Sequence, residues 1–334
     1  MTGHGDGTGP LRGDEFGIAE FAAVFRDVVT NVEKVIRGKR DVVELATVCL
    51  FAEGHLLVED VPGLGKTSLA RSLAASVNAG CQRIQFTPDL LPADITGTMV
   101  YNQRTQEFGF RAGPVFTNIV IGDEINRASP KTQSALLEVM EEGRVTSDGT
   151  SYPVPQPFMV VATQNPIDMD GTYSLPEAQL DRFLMRLRMG YPSLDAELEI
   201  LEGRQVGRAV DDLQPVMRAE DVVARSAQTL AVHVAPNLRR YLVQLVAASR
   251  TIPDIVRLGA SPRGSIALLR AVQVRAAAHG RVFATPDDAK AVAGAVLAHR
   301  LVLSPEAELR GVVAEDVVDE ILQSVPSPRR LLGI

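Results

Sequence analysis

The 334 residues include only two cysteines and five histidines, and neither cysteine stands near a second cysteine or a histidine at metal-ligand spacing. Cys49 falls in an apolar helical pattern and Cys81 beside a strand, so both read as buried thiols of a reducing compartment. The scattered histidines read as structural or surface residues. No apolar run approaches membrane-spanning length. The opening MTGHGDGTGPLRGDE lacks the basic start and apolar stretch of a signal peptide, so residues 1–15 read as a flexible tail on a cytoplasmic protein. A long Lys/Arg run is missing too, and the formal net charge is -7. A broad nucleic-acid footprint is therefore disfavoured, although an acidic protein can still carry a narrow basic channel.

Against these absences, 46% of the residues are hydrophobic and 22% charged, enough for one large or two ordinary domains. Short, nearly unbroken apolar runs at His55-Leu56-Leu57-Val58, Asn118-Ile119-Val120-Ile121 and Phe158-Met159-Val160-Val161-Ala162 read as strands buried on both faces of a parallel sheet. Helical stripes separate them, Leu69, Leu73 and Val77 in one, Leu136, Leu137 and Met140 in another. Met185-Arg186-Leu187-Arg188-Met189 alternates apolar with charged residues, as an edge strand wetted on one face would. These patterns predict an α/β core over residues 16–191. From Tyr191-Pro192 the strand patterns stop. Amphipathic helices with clear caps (Ser261-Pro262, Thr285-Pro286) predict a smaller all-helical domain over 192–334. Two segments inside the core, around Thr98–Phe110 and around Asp148-Gly149, read as projecting hairpins whose aromatic tips, Phe108 and Phe110 among them, contact a partner.

The chemistry gathers at Pro62-Gly63-Leu64-Gly65-Lys66-Thr67-Ser68. A phosphate-binding loop is written G-x-x-x-x-G-K-S/T, and here Asp60 stands where the first glycine belongs. Gly63 and Gly65 still let backbone N–H groups approach phosphate oxygens, while Asp60 needs only to turn a corner, which a carboxylate can do by bonding nearby backbone. Lys66 would reach the β- and γ-phosphates and Thr67 would coordinate Mg²⁺. The strand Asn118-Ile-Val-Ile-Gly ends on Asp123 and Glu124, where α/β sheets place their chemistry. Asp123 fits the Mg²⁺ shell, and Glu124 fits the base that polarises an attacking water. Loop and carboxylates together indicate a nucleoside triphosphate, ATP or GTP. Asn165 ends the third buried strand and could orient the water, or be a turn-forming Asn before proline. Arg263 sits in the first turn of a helix, against the dipole, where it could face a phosphate or simply solvent.

With these residues in place the chain resembles the MoxR family of AAA+ ATPases. The resemblance rests on VPGLGKT, DEINRASPKTQSALLEVMEEGRVT, ATQNP, LPEAQLDRF and ASPRGSIALLRA, and covers nearly everything after the tail. It implies a core of strand order 5-1-4-3-2 followed by a helical lid, assembled as a ring, usually a hexamer, with ATP at each subunit boundary. It also implies that Ile36 and Gly38 lie against the adenine, that Asn165 is sensor 1, Arg263 sensor 2 and Arg182 an arginine finger. Read from spacing alone, Arg182 could equally be salt-bridged to its neighbour Asp181. The family's usual work is remodelling or maturing partner proteins, commonly with von Willebrand factor A domain proteins and sometimes in metal or cofactor insertion. Three other readings stay open: an ATP-dependent switch or scaffold without turnover, a DNA motor, and a chelatase-type subunit.

Overall fold

Two helices, α1 (Leu11–Glu33) and α2 (Arg40–Phe51), precede the first strand. The computed structural model describes residues 11–61, 63–165, 172–198 and 210–328. Because α1 begins at Leu11, the stretch read as tail is helical over its last residues, and its residues 1–10 lie outside those described.

The apolar runs become the centre of the sheet. In chain order come β1 (Leu56–Glu59), α3 (Lys66–Ser76), β2 (Cys81–Gln85), α4 (Pro92–Thr96), β3 (Gly97–Asn102), β4 (Glu107–Ala112), β5 (Ile119–Asp123), α5 (Pro130–Glu142), β6 (Arg144–Ser147), β7 (Thr150–Pro153), β8 (Met159–Gln164), α6 (Glu177–Leu180) and β9 (Met185–Leu187). The sheet runs β2-β5-β8-β1-β9 with every pairing parallel. Counted from the β9 edge, its strands follow the order 5-1-4-3-2 expected above. Neighbouring residues of a strand face opposite layers. Leu56, Val58, Ile119, Ile121 and Val161 enter one apolar cluster with α1 and α3, while Leu57, Val120, Val160 and Ala162 enter the other with α5. Both faces are covered, which is why these strands read as continuous apolar runs.

The C-terminal part holds α7 (described over 194–198), α8 (Ala219–Thr229), α9 (Pro236–Ala248), β10 (Val256–Leu258), α10 (Pro262–Ala278), α11 (Pro286–Leu297), β11 (Val302–Leu303), α12 (Pro305–Leu309) and α13 (Ala314–Ser324). Leu238, Leu242, Leu245 and Val246 line the buried face of α9. Ser261 Oγ caps α10 by accepting from the Arg263 N–H at 3.1 Å, and Thr285 with Asp288 forms a capping box on α11. The domain is not all-helical: β10 and β11 make a short antiparallel ribbon, too brief for any periodicity to reveal. The charged side of β9 is also drier than an exposed edge strand would be. Arg186 reaches Glu59 of β1 at 3.3 Å and Glu315 of α13 at 2.9 Å, so the helical domain closes over it. Among the described residues no helix is long and apolar enough to cross a membrane.

Both insertions are hairpins. Asp148 and Gly149 turn the β6–β7 hairpin with φ of 49° and 73°, the left-handed pair that a two-residue loop requires. In the β3–β4 hairpin Phe108 is 67% exposed and packs against Tyr101 with ring centroids 5.1 Å apart. Phe110 corrects the reading of an exposed tip. It stacks on Tyr152 of β7 at 4.1 Å and meets Phe116 edge-on, so it joins the two hairpins.

His55, at the entry to β1, bears out the structural reading of the histidines. Its Nδ1 accepts from the Val160 N–H at 3.0 Å, so Nε2 carries the proton and donates to the Met140 carbonyl at 3.0 Å. Burial lowers its pKa to about 4. The folded value lies below the unfolded one, so this stabilisation is complete above about pH 6.5 and is lost as pH falls towards 4, roughly 3 kcal/mol in all. Thermal melts between about pH 7 and 4.5 should show Tm falling, and His55→Gln, which can make both contacts without titrating, should flatten the profile. Parallel profiles for parent and variant would rule His55 out as a cause.

Candidate nucleotide site

The loop after β1 is shaped by two glycines at positive φ, Gly63 at 87° and Gly65 at 88°. A Cβ on Gly63 would meet nothing within 4 Å, so the loop backbone is open there for a ligand's close approach. Gly65 is the N-cap of α3, whose first N–H groups have no acceptor within the helix and make an anion site. Pro62 lies outside the described residues; Leu64 packs against the apolar cluster and Ser68 occupies the first turn of α3. Asp60 spends its carboxylate on backbone, Oδ1 on the Val61 N–H at 2.8 Å and Oδ2 on the Gly190 N–H at 2.6 Å. It thus turns the corner and ties it to the chain leaving β9. Ile36 lies beside this loop, and Gly38 follows two residues later. The Ile36 Cδ1 is 3.9 Å from where a Cβ on Gly65 would sit, and Gly38, at φ 66°, leaves no room for one against Ala196 of α7, at 2.9 Å.

Lys66 is buried, and its ammonium donates to the Asp60 carbonyl at 2.6 Å and that of Gln164 at 3.4 Å. Burial lowers its pKa, against the pull of Asp123, Asp60 and Glu124. Those carboxylates come from the end of β5. Thr163 of β8 orders both residues: its hydroxyl donates to Asp123 Oδ1 at 2.6 Å and accepts from the Glu124 N–H at 3.0 Å. Asp123 Oδ2 faces Thr67 Oγ1 at 3.4 Å and the Arg83 guanidinium at 2.6 Å. Glu124 stands at φ 56°, ψ 50°, a left-handed conformation that costs a non-glycine residue about 1 kcal/mol or more and is typical of functional sites. Its Oε2 accepts from Gln85 at 3.2 Å and Arg127 at 3.0 Å. Asn165 is buried just past β8, its carbonyl 3.5 Å from Asn126 Nδ2.

The two remaining arginines meet elsewhere. Arg182 binds Glu141 Oε2 at 2.8 Å and Arg263 binds Glu141 Oε1 at 2.6 Å, so one carboxylate at the end of α5 holds both. They line a cavity of about 210 Å³ with Met140 and Asp181. The pairing of Arg182 with Asp181 that spacing allowed does not form. Asp181 instead accepts from Arg300 at 2.8 Å and from Ser261, the cap of α10, at 2.7 Å, which fixes the helical domain against the segment bearing Arg182.

Residues 55–185 match the family model for the ATPase family associated with various cellular activities (AAA), and residues 247–321 match that for the AAA lid domain. Chaperone MoxR1 of Mycobacterium tuberculosis (strain ATCC 25618 / H37Rv) is 39% identical over 94% of this chain and 85% of its own. The chain is a MoxR-family AAA+ ATPase. YeaC of Bacillus subtilis (strain 168) is 50% identical over 90% of this chain and 93% of its own. The crystal structure of a protein from Cytophaga hutchinsonii ATCC 33406, assigned as an ATPase, superposes with a TM-score of 0.88 at 36% identity, covering 96% of this chain and 99% of that one.

In this MoxR-family chain the structure brings Lys66, Thr67, Asp123 and Glu124 together, with Ile36 against the loop and Gly38 against Ala196, and holds Arg182 and Arg263 as a separate pair. Several members of these groups went unread in the sequence. Thr163, Arg83 and Gln85 carry no motif of their own, and only the parallel register of β2, β5 and β8 brings them to Asp123 and Glu124. Glu141 is one of two adjacent glutamates at a helix end, a pattern that ordinarily marks a solvated surface.

Proposed function

We propose that this ATPase hydrolyses ATP at the boundaries between subunits of a ring, hexameric as in its family, and uses the resulting movement to remodel or mature partner proteins. The observation that carries this reading is the placement of Arg182 and Arg263. Their shared anchor is Glu141, whereas Lys66, Thr67, Asp123 and Glu124 gather at the ends of β1, β5 and β8. A guanidinium pair held apart from the loop of its own subunit suits a phosphate bound by a neighbour.

In this reading the loop N–H groups and Lys66 bind the phosphates, and Ile36 and Gly38 contact the base. Thr67 and Asp123 offer a hydroxyl and a carboxylate, hard oxygen donors that fit Mg²⁺. When bound, that ion would neutralise charge developing on the β- and γ-phosphate oxygens. Glu124 polarises the attacking water, Asn165 orients it, and the neighbour's arginines stabilise the charge of the transition state. The chaperone reading follows the name of the MoxR1 relative. A von Willebrand factor A domain partner, and a role in metal or cofactor insertion, follow from family resemblance. Light scattering in the presence of ATP tests assembly: a protein that turns over ATP as a monomer would overturn the shared-site reading.

The exposed Tyr101–Phe108 pair is the surface assigned to the protein client, because two large rings left in solvent contribute little to the core. Replacing both with Ser should leave basal ATPase activity within about two-fold while the ATP-loaded protein retains its client several-fold less well. Phe110→Ser, which breaks the joint between the hairpins, should instead lower the melting temperature. Loss of basal hydrolysis in the Tyr101/Phe108 double variant would count against a client-facing role.

A further inference from the structure

We propose that Arg83 is an internal competitor for the divalent cation of the nucleotide site. This rests on the nucleotide reading above and concerns how that site is loaded. Of the two carboxylate oxygens of Asp123, Oδ1 is taken by the buried Thr163 hydroxyl at 2.6 Å and turned into the sheet. Oδ2 is the oxygen that faces Thr67, 3.4 Å from its hydroxyl, and so is the one positioned to serve a cation held between the two. Arg83 occupies that same oxygen twice, with Nε at 2.8 Å and a terminal nitrogen at 2.6 Å. The terminal nitrogen also donates to Gln85 Oε1 at 2.7 Å, which fixes the guanidinium in place.

Two guanidinium nitrogens already fill the two lone-pair positions of Asp123 Oδ2, so a cation that takes that oxygen must displace Arg83. The displacement is feasible: the Arg83 side chain is 55% exposed on the edge strand β2, whereas the Asp123 side chain is only 11% exposed. Arg83 can swing into solvent; Asp123 cannot move. The guanidinium satisfies a carboxylate that would otherwise sit buried beside Glu124, and it raises the threshold for a cation arriving by itself. Nucleotide phosphates add negative charge at the same point and favour the exchange, so the cation would load together with nucleotide and not before it.

The test is a titration of Mn²⁺, as a spectroscopic substitute for Mg²⁺, into ADP-saturated full-length protein, with free Mn²⁺ followed by electron paramagnetic resonance. ADP keeps turnover out of the measurement. Arg83→Gln should bind Mn²⁺ about five-fold more tightly than the parent, the scale expected for a half-exposed ion pair. Gln82→Ala, on the same strand, should bind it as the parent does, and thermal melts should show both variants folded. Unchanged or weaker Mn²⁺ binding by Arg83→Gln overturns the proposal, as does an equal gain in Gln82→Ala, which would trace the effect to a loosened edge strand. A parent that takes up no ADP at all would instead sink the nucleotide reading, and is recognised by that missing first step.

Discussion

Lys66→Ala is expected to lose nucleotide binding, whereas Glu124→Gln retains it and loses turnover. The Lys66 ammonium is buried between the Asp60 and Gln164 carbonyls at the root of the loop, and no other cation shares that position on β1 or α3. Removing a buried charge-assisted contact of this kind costs about 1.5–3 kcal/mol, which is roughly a ten- to hundred-fold loss of affinity. Glu124→Gln keeps the side chain's size and its contact with Arg127, and removes only the basicity that polarises water. A loss of about 100- to 10,000-fold in turnover follows from the general-base role, with affinity near that of the parent. Fluorescence titration with a labelled nucleotide, alongside phosphate release, separates the two. Equal loss of affinity in both variants would remove Glu124 from the role of base.

The second large effect concerns Arg182. Arg182→Ala should bind ATP nearly as well as the parent, because an arginine finger acts mainly on charge that develops in the transition state, and turnover should fall by about 1,000-fold or more. Glu124→Gln should also be inactive, for a defect in its own subunit's pocket. Mixing the two inactive proteins creates boundaries where an intact Glu124 faces an intact Arg182 from a neighbour, so part of the activity should return and peak between the pure variants. The structure adds a condition. Arg182 and Arg263 share Glu141, so Arg182→Ala leaves Arg263 with the whole carboxylate, and Arg263→Ala should complement Glu124→Gln in the same way if both arginines serve the same phosphate. Light scattering must first show that the variants assemble and exchange with ATP present. Given that, a mixture as inactive as its components would return Arg182 to a purely structural ion pair with Glu141.

Much of the fold was legible because burial on both sheet faces writes itself into composition. Ile119–Asp123 and Met159–Gln164 could be read as central strands from the apolar runs Ile119-Val120-Ile121 and Met159-Val160-Val161-Ala162, since helices cover both faces there and polar side chains enter only towards the strand ends, at Asp123, Thr163 and Gln164. The loop and the Asp123-Glu124 pair were legible for a related reason: a phosphate cradle and a strand-end carboxylate pair are local constraints, met by residues adjacent in the chain. Asp60 followed the same logic, as a corner residue bonded to its own backbone.

Contacts between distant segments were not legible. The bond from Asp60 to the Gly190 N–H spans 130 residues, and the ion pair of Arg263 with Glu141 spans 122. Phe110 read as an exposed tip because its own hairpin gives it no cover; Tyr152 of the other hairpin supplies it. The sequence by itself determined the α/β class and, through its family resemblance, the strand order, and it named the residues proposed to bind phosphate. Tertiary structure alone decided which carboxylate holds which arginine. Asp181 lies next to Arg182 in the chain, yet it turns to Arg300 and Ser261, because the packing of the helical domain brings those donors to it and leaves Arg182 to Glu141. A charge selects its partner by distance and desolvation in the folded state, and neither quantity is set by adjacency along the chain.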